Sequence, residues 1–346
     1  MPATMTEPHH GDGTGDGATA SAGPTIGDVG EHAVIAAIRE AAPSSRNGDD
    51  AAVLAMTTPN ASHVATTDLL VEGRHFDLRW SSPEEVGRKA AVQNFADVES
   101  MGARPKALLM GLSAPESTPL EVVVGMARGM VAECDRCAAE LVGGDVVGGA
   151  GLTLSITAIG EVGGPNRPLL RSGARPGDSV IAAGVIGRSA AGLALLRHHG
   201  SPEAVPARFR ELVAAHLVPV FEYGRGAVAR ADGINCLTDN SDGLVVDLGE
   251  LSRASGVGID VFPETVAPDA LMLEAAEHLG ADAWEWVLGG GEDHTLLGTT
   301  SGEAPIDFRV IGRVVRPARP ASGVPACPRV TVGGKEPAME KGWVSF

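Results

Sequence analysis

A two-domain chain that mixes helices and strands in both halves is the fold class this sequence predicts. Its 346 residues, 44% of them hydrophobic, with 46 glycines, suit a large, loop-rich globular protein of about two domains. Helical and strand-like hydrophobic periods then alternate as far as Val162, where an α/β pattern would place successive layers. Finally, "GGPNRPLLRSGARPGD" interrupts that alternation, as a linker dense in turn formers does.

The elements follow in order. Residues 1–26 are nearly devoid of large apolar side chains, the composition of a disordered tail; His9 and His10 within it are incidental. "DVGEHAVIAAIREAA" reads as a helix, and "AAVLAM" and "HVATTDLLVE" as two strands joined by "TTPNAS". In "SPEEVGRKAAVQNFADVESMGA", Ser82 stands as a cap before Pro83, and Val86, Ala90, Phe95 and Val98 recur at helical spacing. A helix from about Leu120 to Glu140 separates the strand-like "KALLMGLSAP" and "LTLSITAIGEV". Residues 27–162 thus form one domain and 163–346 a second. The second domain opens with the strand "SVIAAG" and the helix "SAAGLALLRHH", and later holds the helix "APDALMLEAAEHLG" and the strand "RVIGRVV". Neither half shows the regular βα period of a barrel, a G-x-G-x-x-G between strand and helix, or a P-loop.

Composition excludes several functions. A formal net charge of -17 and 3% aromatic residues argue against a nucleic-acid partner, which needs positive charge and stacking platforms. Phosphorylated metabolites stay compatible, because a bound divalent cation reverses the local field. Cys134 and Cys137 form a C-x-x-C, but inside a helical pattern, where buried or helix-face thiols are expected rather than a metal knuckle. No signal-peptide pattern opens the chain and no run reaches about 18 apolar residues, so a soluble, cytoplasmic protein without a membrane partner is expected.

Acidic residues carry the chemistry. Asp49 and Asp50 stand immediately before Ala51–Leu54, and Asp68 follows "HVATT" with Thr66 and Thr67 beside it. Asp97 lies three residues past Asn94 on a helix, Asp145 stands in "VGGDVVGG", Asp239, Asp242 and Asp247 mark "TDNSDGLVVD", and Glu292 and Asp293 close "LGGGED". Each alone reads equally well as a turn or cap residue. Together, hard oxygen donors without a Cys/His cluster favour Mg²⁺, and carboxylates sharing a cleft repel one another unless cations occupy it. Phosphoryl transfer uses this arrangement. Gly143, Gly144, Gly148 and Gly149 could turn backbone N–H groups toward phosphate oxygens. Lys occurs only four times, so Arg supplies most positive contacts; Arg171, between Gly-rich segments at the domain junction, suits phosphate recognition.

The series "NGDDAAVL", "TTDLLVEGRHF", "AVQNFADVESMGARP", "GGDVVGG", "LLRSGARPGD", "DNSDGLVVDL", "GGGEDHTLL" and "KGWVSF" resembles the thiamine-monophosphate kinases, of the ATP-dependent superfamily that includes aminoimidazole ribonucleotide synthetase. The resemblance runs from about Gly27 to Phe346. It implies an N-terminal α/β domain whose sheet pairs with its copy in a homodimer, a C-terminal α+β domain, and a cleft between them for ATP and thiamine monophosphate. It also implies metal ligands at Asp49, Asp50, Thr67, Asp68, Asp97, Asp145, Asp239 and Asp242, nucleotide contacts at Gly144, Arg171 and Ser241, and substrate contacts at His75, Glu292 and Trp343. Mg²⁺ is the implied cofactor, with K⁺ a candidate second cation. The implied reaction is the last step of thiamine diphosphate biosynthesis, in which ATP phosphorylates thiamine monophosphate. Its acceptor is already an ionised phosphate oxygen, so no general base is assigned. Alternatives are another synthetase of the superfamily or a Mg-dependent phosphatase. The chain departs from the family pattern at Asn240 and in the terminal "GWVSF".

Overall fold

Two sheets, one in each half of the chain, organise the computed structural model, which describes residues 23–47, 51–317 and 329–337. The expectations for residues 1–22 and for Asp49, Asp50 and Trp343 lie outside the described residues. The first sheet holds β1 (Ser62–Val71), β2 (Arg104–Ala114), β3 (Glu140–Gly148) and β4 (Thr153–Val162), in the order β1-β4-β2-β3. β4 runs antiparallel to β1 and β2, whereas β2 and β3 are parallel. A parallel pair needs a long crossover, and the helix Leu120–Cys137 supplies it.

That helix and the helix Pro83–Ser100 lie together on one face of the sheet. Ser82 caps the latter as its sequence predicts: the Ser82 hydroxyl accepts from Glu85 N (3.3 Å), and the Glu85 carboxylate accepts from Ser82 N (2.8 Å). Val86, Ala90, Phe95 and Val98 are all buried. The two helices touch backbone to backbone at Gly87, where a Cβ would stand 1.9 Å from the Met126 carbonyl oxygen. Leu108, Met110, Leu112, Leu154, Ile156 and Ala158 fill the space beneath them. The opposite face is barer: Leu69 is 56% exposed and Val147 51%.

Two expectations fail here. "AAVLAM" forms no strand, and Val53 is 85% exposed, because alternating small apolar residues supply no neighbouring backbone edge to pair with. "VGGDVVGG", to which the sequence assigned no element, is most of β3. Its glycines weaken strand propensity, but β2 provides the edge and the tight fit demands them: a Cβ on Gly144 would lie 1.9 Å from the Met110 carbonyl oxygen. At the chain's described start, Thr25 and Ile26 are ordered rather than part of a tail. Thr25 closes a capping box with Asp28 over the helix Ile26–Val29, and Ile26 is buried.

Every later described strand belongs to the second sheet: β5 (Ser179–Ala183), β6 (Cys236–Asp239), β7 (Gly258–Val261), β8 (Leu296–Thr300), β9 (Arg309–Val315) and β10 (Val330–Val332). The order is β10-β7-β9-β5-β8-β6, antiparallel except for β10 on β7. Helices Arg188–His199, Arg210–Leu217, Leu244–Ser255 and Ala270–Leu279 pack into its core around Leu195, Leu212, Leu248 and Ile259. The halves are welded through the helix Pro83–Ser100. Its Val92 and Ala96 join Ile181, Phe221 and Leu237 in one apolar cluster, and its Glu99 accepts from Gly224 N and Gly226 N, both at 2.9 Å. Cys134 and Cys137 are free thiols of the crossover helix, and burial pushes the Cys137 thiol up to about 12. Among the described residues, no helix is long and apolar enough to cross a membrane.

Candidate active site

Four of the predicted aspartates meet at one cavity of about 260 Å³ between the halves, lined also by His75, Gln93, Ser241, Glu292 and His294. Asp68 projects from the helix-covered face of β1, opposite Ile156 in the register. Asp97 lies on the helix Pro83–Ser100, where its Oδ2 accepts from the Thr66 hydroxyl at 2.7 Å. Asp239 ends β6 and Asp242 follows in the turn before the helix Leu244–Ser255. That turn is held by Asp247, whose Oδ2 accepts from Asp242 N (3.1 Å) and Gly243 N (3.0 Å).

The carboxylates raise one another. Burial, then the Asp239 charge, pushes Asp97 up to about 7. Burial lifts Asp68 against a hydrogen bond from Gln93, and lifts Asp242 with help from Asp239. Asp247 is pushed by burial to about 8. One imidazole answers them: His294 Nδ1 stands 3.0 Å from Asp239 Oδ2. Burial works against its positive charge, but that bond and the surrounding carboxylates more than offset it and hold His294 above its usual range. Four carboxylates thus face one imidazole in the cavity, with the Arg171 charge acting on Asp242.

Such a donor set fits Mg²⁺. Among the described residues no three His, Cys, Asp or Glu side chains stand close enough to hold an ion by themselves. Mg²⁺ keeps several waters and takes one or two carboxylates plus substrate phosphate oxygens.

Two loops of the second half build the cavity floor. Asn240 N donates to Thr295 O (2.8 Å), His294 N to Asn240 O (3.0 Å) and Glu292 N to Ser241 O (2.9 Å), locking "DNSDG" onto "GGGED". The contact is so close that a Cβ on Gly291 would lie 2.0 Å from the Ser241 carbonyl oxygen. Glu292 and His294 both adopt left-handed φ, 61° and 53°, a strain that persists only where the surroundings enforce it. The Asn240 side chain is fully buried with no hydrogen-bond partner among the described residues. Asp293 points away to cap the helix Arg188–His199, accepting from Gly187 N (2.6 Å) and Ser189 N (2.9 Å); burial pushes it up to about 7.

A second cavity of about 330 Å³ adjoins the first, and His75, Ser241 and Glu292 line both. Phe76, Trp80, Ala190 and Leu193 give it apolar walls, with Ser189 and His216 behind Glu292. His75 Nδ1 accepts from Val71 N (3.0 Å), and burial lowers its imidazole below the usual range. Burial holds His216 near about 3, so it stays neutral.

The remaining predicted residues lie elsewhere. Thr67 faces the barer side of the sheet and donates to Ile156 O (3.0 Å). Gly144 and Asp145 line a separate cavity on that side, of about 590 Å³, with Ile38 and Leu54. Arg171 is exposed; its Nε donates to the Thr238 hydroxyl (3.2 Å), and its charge opposes the rise of Asp242. Sequence reasoning missed Gln93, Lys89, His216 and His294. For Lys89 a signal existed, since a scarce lysine interrupts the apolar stripe of Val86 and Ala90.

The chain matches the models for AIR synthase related proteins, the N-terminal domain over residues 48–162 and the C-terminal domain over 175–323. This defines a two-domain member of the AIR synthase related class. The thiamine-monophosphate kinase of Corynebacterium glutamicum is 55% identical over 324 residues, covering 94% of this chain and 96% of the relative. That of Mycobacterium tuberculosis is 42% identical over 340 residues, covering 96% of each. Among solved structures, AaThiL complexed with AMPPCP and TMP superposes with a TM-score of 0.74 at 32% identity, over 92% of this chain and 97% of that one. The chain belongs to the thiamine-monophosphate kinase family.

Proposed function

We infer that this chain transfers the γ-phosphoryl group of ATP to thiamine monophosphate, giving thiamine diphosphate and ADP. The observation that carries this reading is the convergence of Asp68, Asp97, Asp239 and Asp242, drawn from both halves, on one cavity whose negative charge His294 and Arg171 answer only in part. Asp68, Asp97, Asp239 and Asp242 would hold Mg²⁺, joined by Asp49, Asp50, Thr67 and Asp145 as the family resemblance implies. When bound, Mg²⁺ supplies neutralisation of the charge on the phosphates.

The chain's own residues then have three tasks. The acceptor is a phosphate oxygen already ionised at neutral pH, so positioning rather than proton abstraction is required. Ser241, His75 and Glu292 stand where the two cavities meet and orient the acceptor phosphate, with the thiamine moiety in the apolar-walled cavity; Trp343 is a further substrate contact that the family resemblance implies. Arg171 and Gly144 contact the nucleotide; the Arg171 guanidinium brings positive charge to the rim beside Asp242. Fixed dipoles and excluded water do the rest.

The chain acts as a homodimer in the cytoplasm. Support for the dimer comes from the barer sheet face, where Leu69 and Val147 are exposed and where Thr67, Gly144 and Asp145 are separated by the sheet from Asp68 and Asp97. A second copy seated on that face would cover the apolar residues and bring further donors to the site. K⁺ remains a candidate activator only.

Purified protein given ATP, thiamine monophosphate and Mg²⁺ is expected to form thiamine diphosphate and ADP in equal amounts, with little ATP consumed when thiamine monophosphate is withheld. Release of thiamine and inorganic phosphate without use of ATP would identify a phosphatase instead.

A further inference from the structure

We propose that Lys89 is a positioning residue that holds the two substrate-side walls of the cleft in register, acting through Glu292 and the His75 loop; this rests on the kinase reading above. Lys89 is 2% exposed in the middle of a helix whose neighbouring Val86 and Ala90 are fully buried. Its Nζ donates to the His75 carbonyl oxygen at 3.0 Å and to Glu292 Oε2 at 3.1 Å. His75 follows β1 in the first half, and Glu292 precedes β8 in the second. One ammonium therefore joins both halves at the two residues that, with Ser241, line both cavities.

A core role alone does not account for this choice. Burying an ammonium carries a desolvation cost that an apolar side chain of similar volume avoids, and the neighbouring Val86, Ala90 and Val92 of the same helix are buried and apolar. His216, the other ion-pair partner of Glu292 among the described residues, cannot replace the cation. His216 Nδ1 lies 3.5 Å from Glu292 Oε2 and within 3.1 Å of the Ser189 hydroxyl, and burial keeps it neutral. Glu292 itself is 23% exposed at the cavity wall and sits at a φ of 61°, a conformation that needs holding. Burial works against its charge, yet Lys89 first, and the nearby His216 and His294 after it, more than offset that and keep the carboxyl below its usual range. The lysine thus fixes both where Glu292 points and that it stays ionised, without lining either cavity.

The test is a cycle of Lys89→Met, Glu292→Gln and the double variant, with KM for thiamine monophosphate, KM for ATP and kcat measured for each. Wild-type product formation is established first; its absence would overturn the kinase reading before any variant is made. For Lys89→Met the KM for thiamine monophosphate is expected to rise about tenfold or more, with the KM for ATP changed by less than about twofold. In the Glu292→Gln background, removing Lys89 should cost far less, because the two act as one unit. Equal rises in both KM values, or effects that simply multiply, would overturn the proposal in favour of a purely structural tie between the halves. If Lys89→Met does not fold, the same cycle is run with Lys89→Arg, which keeps the charge but not the compact ammonium, and the same outcomes decide.

Discussion

Replacing Asp97 by Asn is expected to cut kcat by about a hundredfold or more while leaving the metal-free protein at least as stable as the parent. Asn matches Asp in shape, and its side-chain oxygen can still accept from the Thr66 hydroxyl that now donates to Asp97 Oδ2 at 2.7 Å. What disappears is charge. Asp97 is raised to about 7 by burial and by the neighbouring Asp239 and Asp68, so its ionised form opposes folding until a cation answers it. A residue serving only as a helix or turn element would behave in the opposite way, with stability lost and turnover kept. The check is kcat at saturating ATP and thiamine monophosphate, alongside melting in the presence of a chelator. A lowered melting temperature with kcat within about twofold of the parent would remove Asp97 from the site.

The second large effect is on pH dependence. Asp97 and Asp293 at about 7 and Asp247 at about 8 lie far above the ordinary aspartate range. A carboxyl raised in the folded state contributes stability that is fully present below its unfolded pKa and is lost as pH rises through the folded value. His294, also raised, acts in the same direction above the ordinary histidine range. His216, held near about 3 by burial, opposes them only below about 6.5, the pKa of an unfolded histidine. Between pH 6.5 and pH 8.5, therefore, the metal-free protein is expected to lose several degrees of melting temperature, on the order of what 1–2 kcal/mol shifts in a chain this long. Mg²⁺ with a nucleotide should shrink or reverse that loss, since the ion binds the deprotonated carboxylates, and Asp97→Asn should show a smaller loss than the parent. A melting temperature independent of pH over this window would contradict the assigned charge state of the cavity.

Much of the fold was legible where local rules decide it. Ser82 before Pro83 announced a helix start, and the stripe of Val86, Ala90, Phe95 and Val98 announced its buried face. The "AAVLAM" segment misled because strand formation depends on a partner edge, and it has none among the described residues; "VGGDVVGG", left without an element, is drawn straight by β2 despite its glycines. The candidate site was partly legible for a related reason. Acidic residues at element edges could be listed from the sequence, and four of them do share a cavity. Asp145 and Thr67 fall on the other side of the sheet, because a one-residue step reverses a strand side chain's face and the register is a tertiary fact. Lys89 and His216 meet their acid from far along the chain, Lys89 reaching Glu292 across 203 residues, and nothing local pairs them with it; His294 follows Glu292 and Asp293 directly and Gln93 lies one turn from Asp97, so their place was written beside the acids and went unread.

The claim on which all of this turns is that acids from both halves make one metal-phosphate site. Mn²⁺ standing in for Mg²⁺ can be counted by electron paramagnetic resonance in the presence of a non-hydrolysable ATP analogue, for the parent, Asp97→Asn from the first half, Asp239→Asn from the second, and the double variant. A single shared site predicts that each substitution loses the same bound ion and that the double variant loses no more than either alone. Two variants that lose different ions additively, or that bind Mn²⁺ as the parent does, would contradict it.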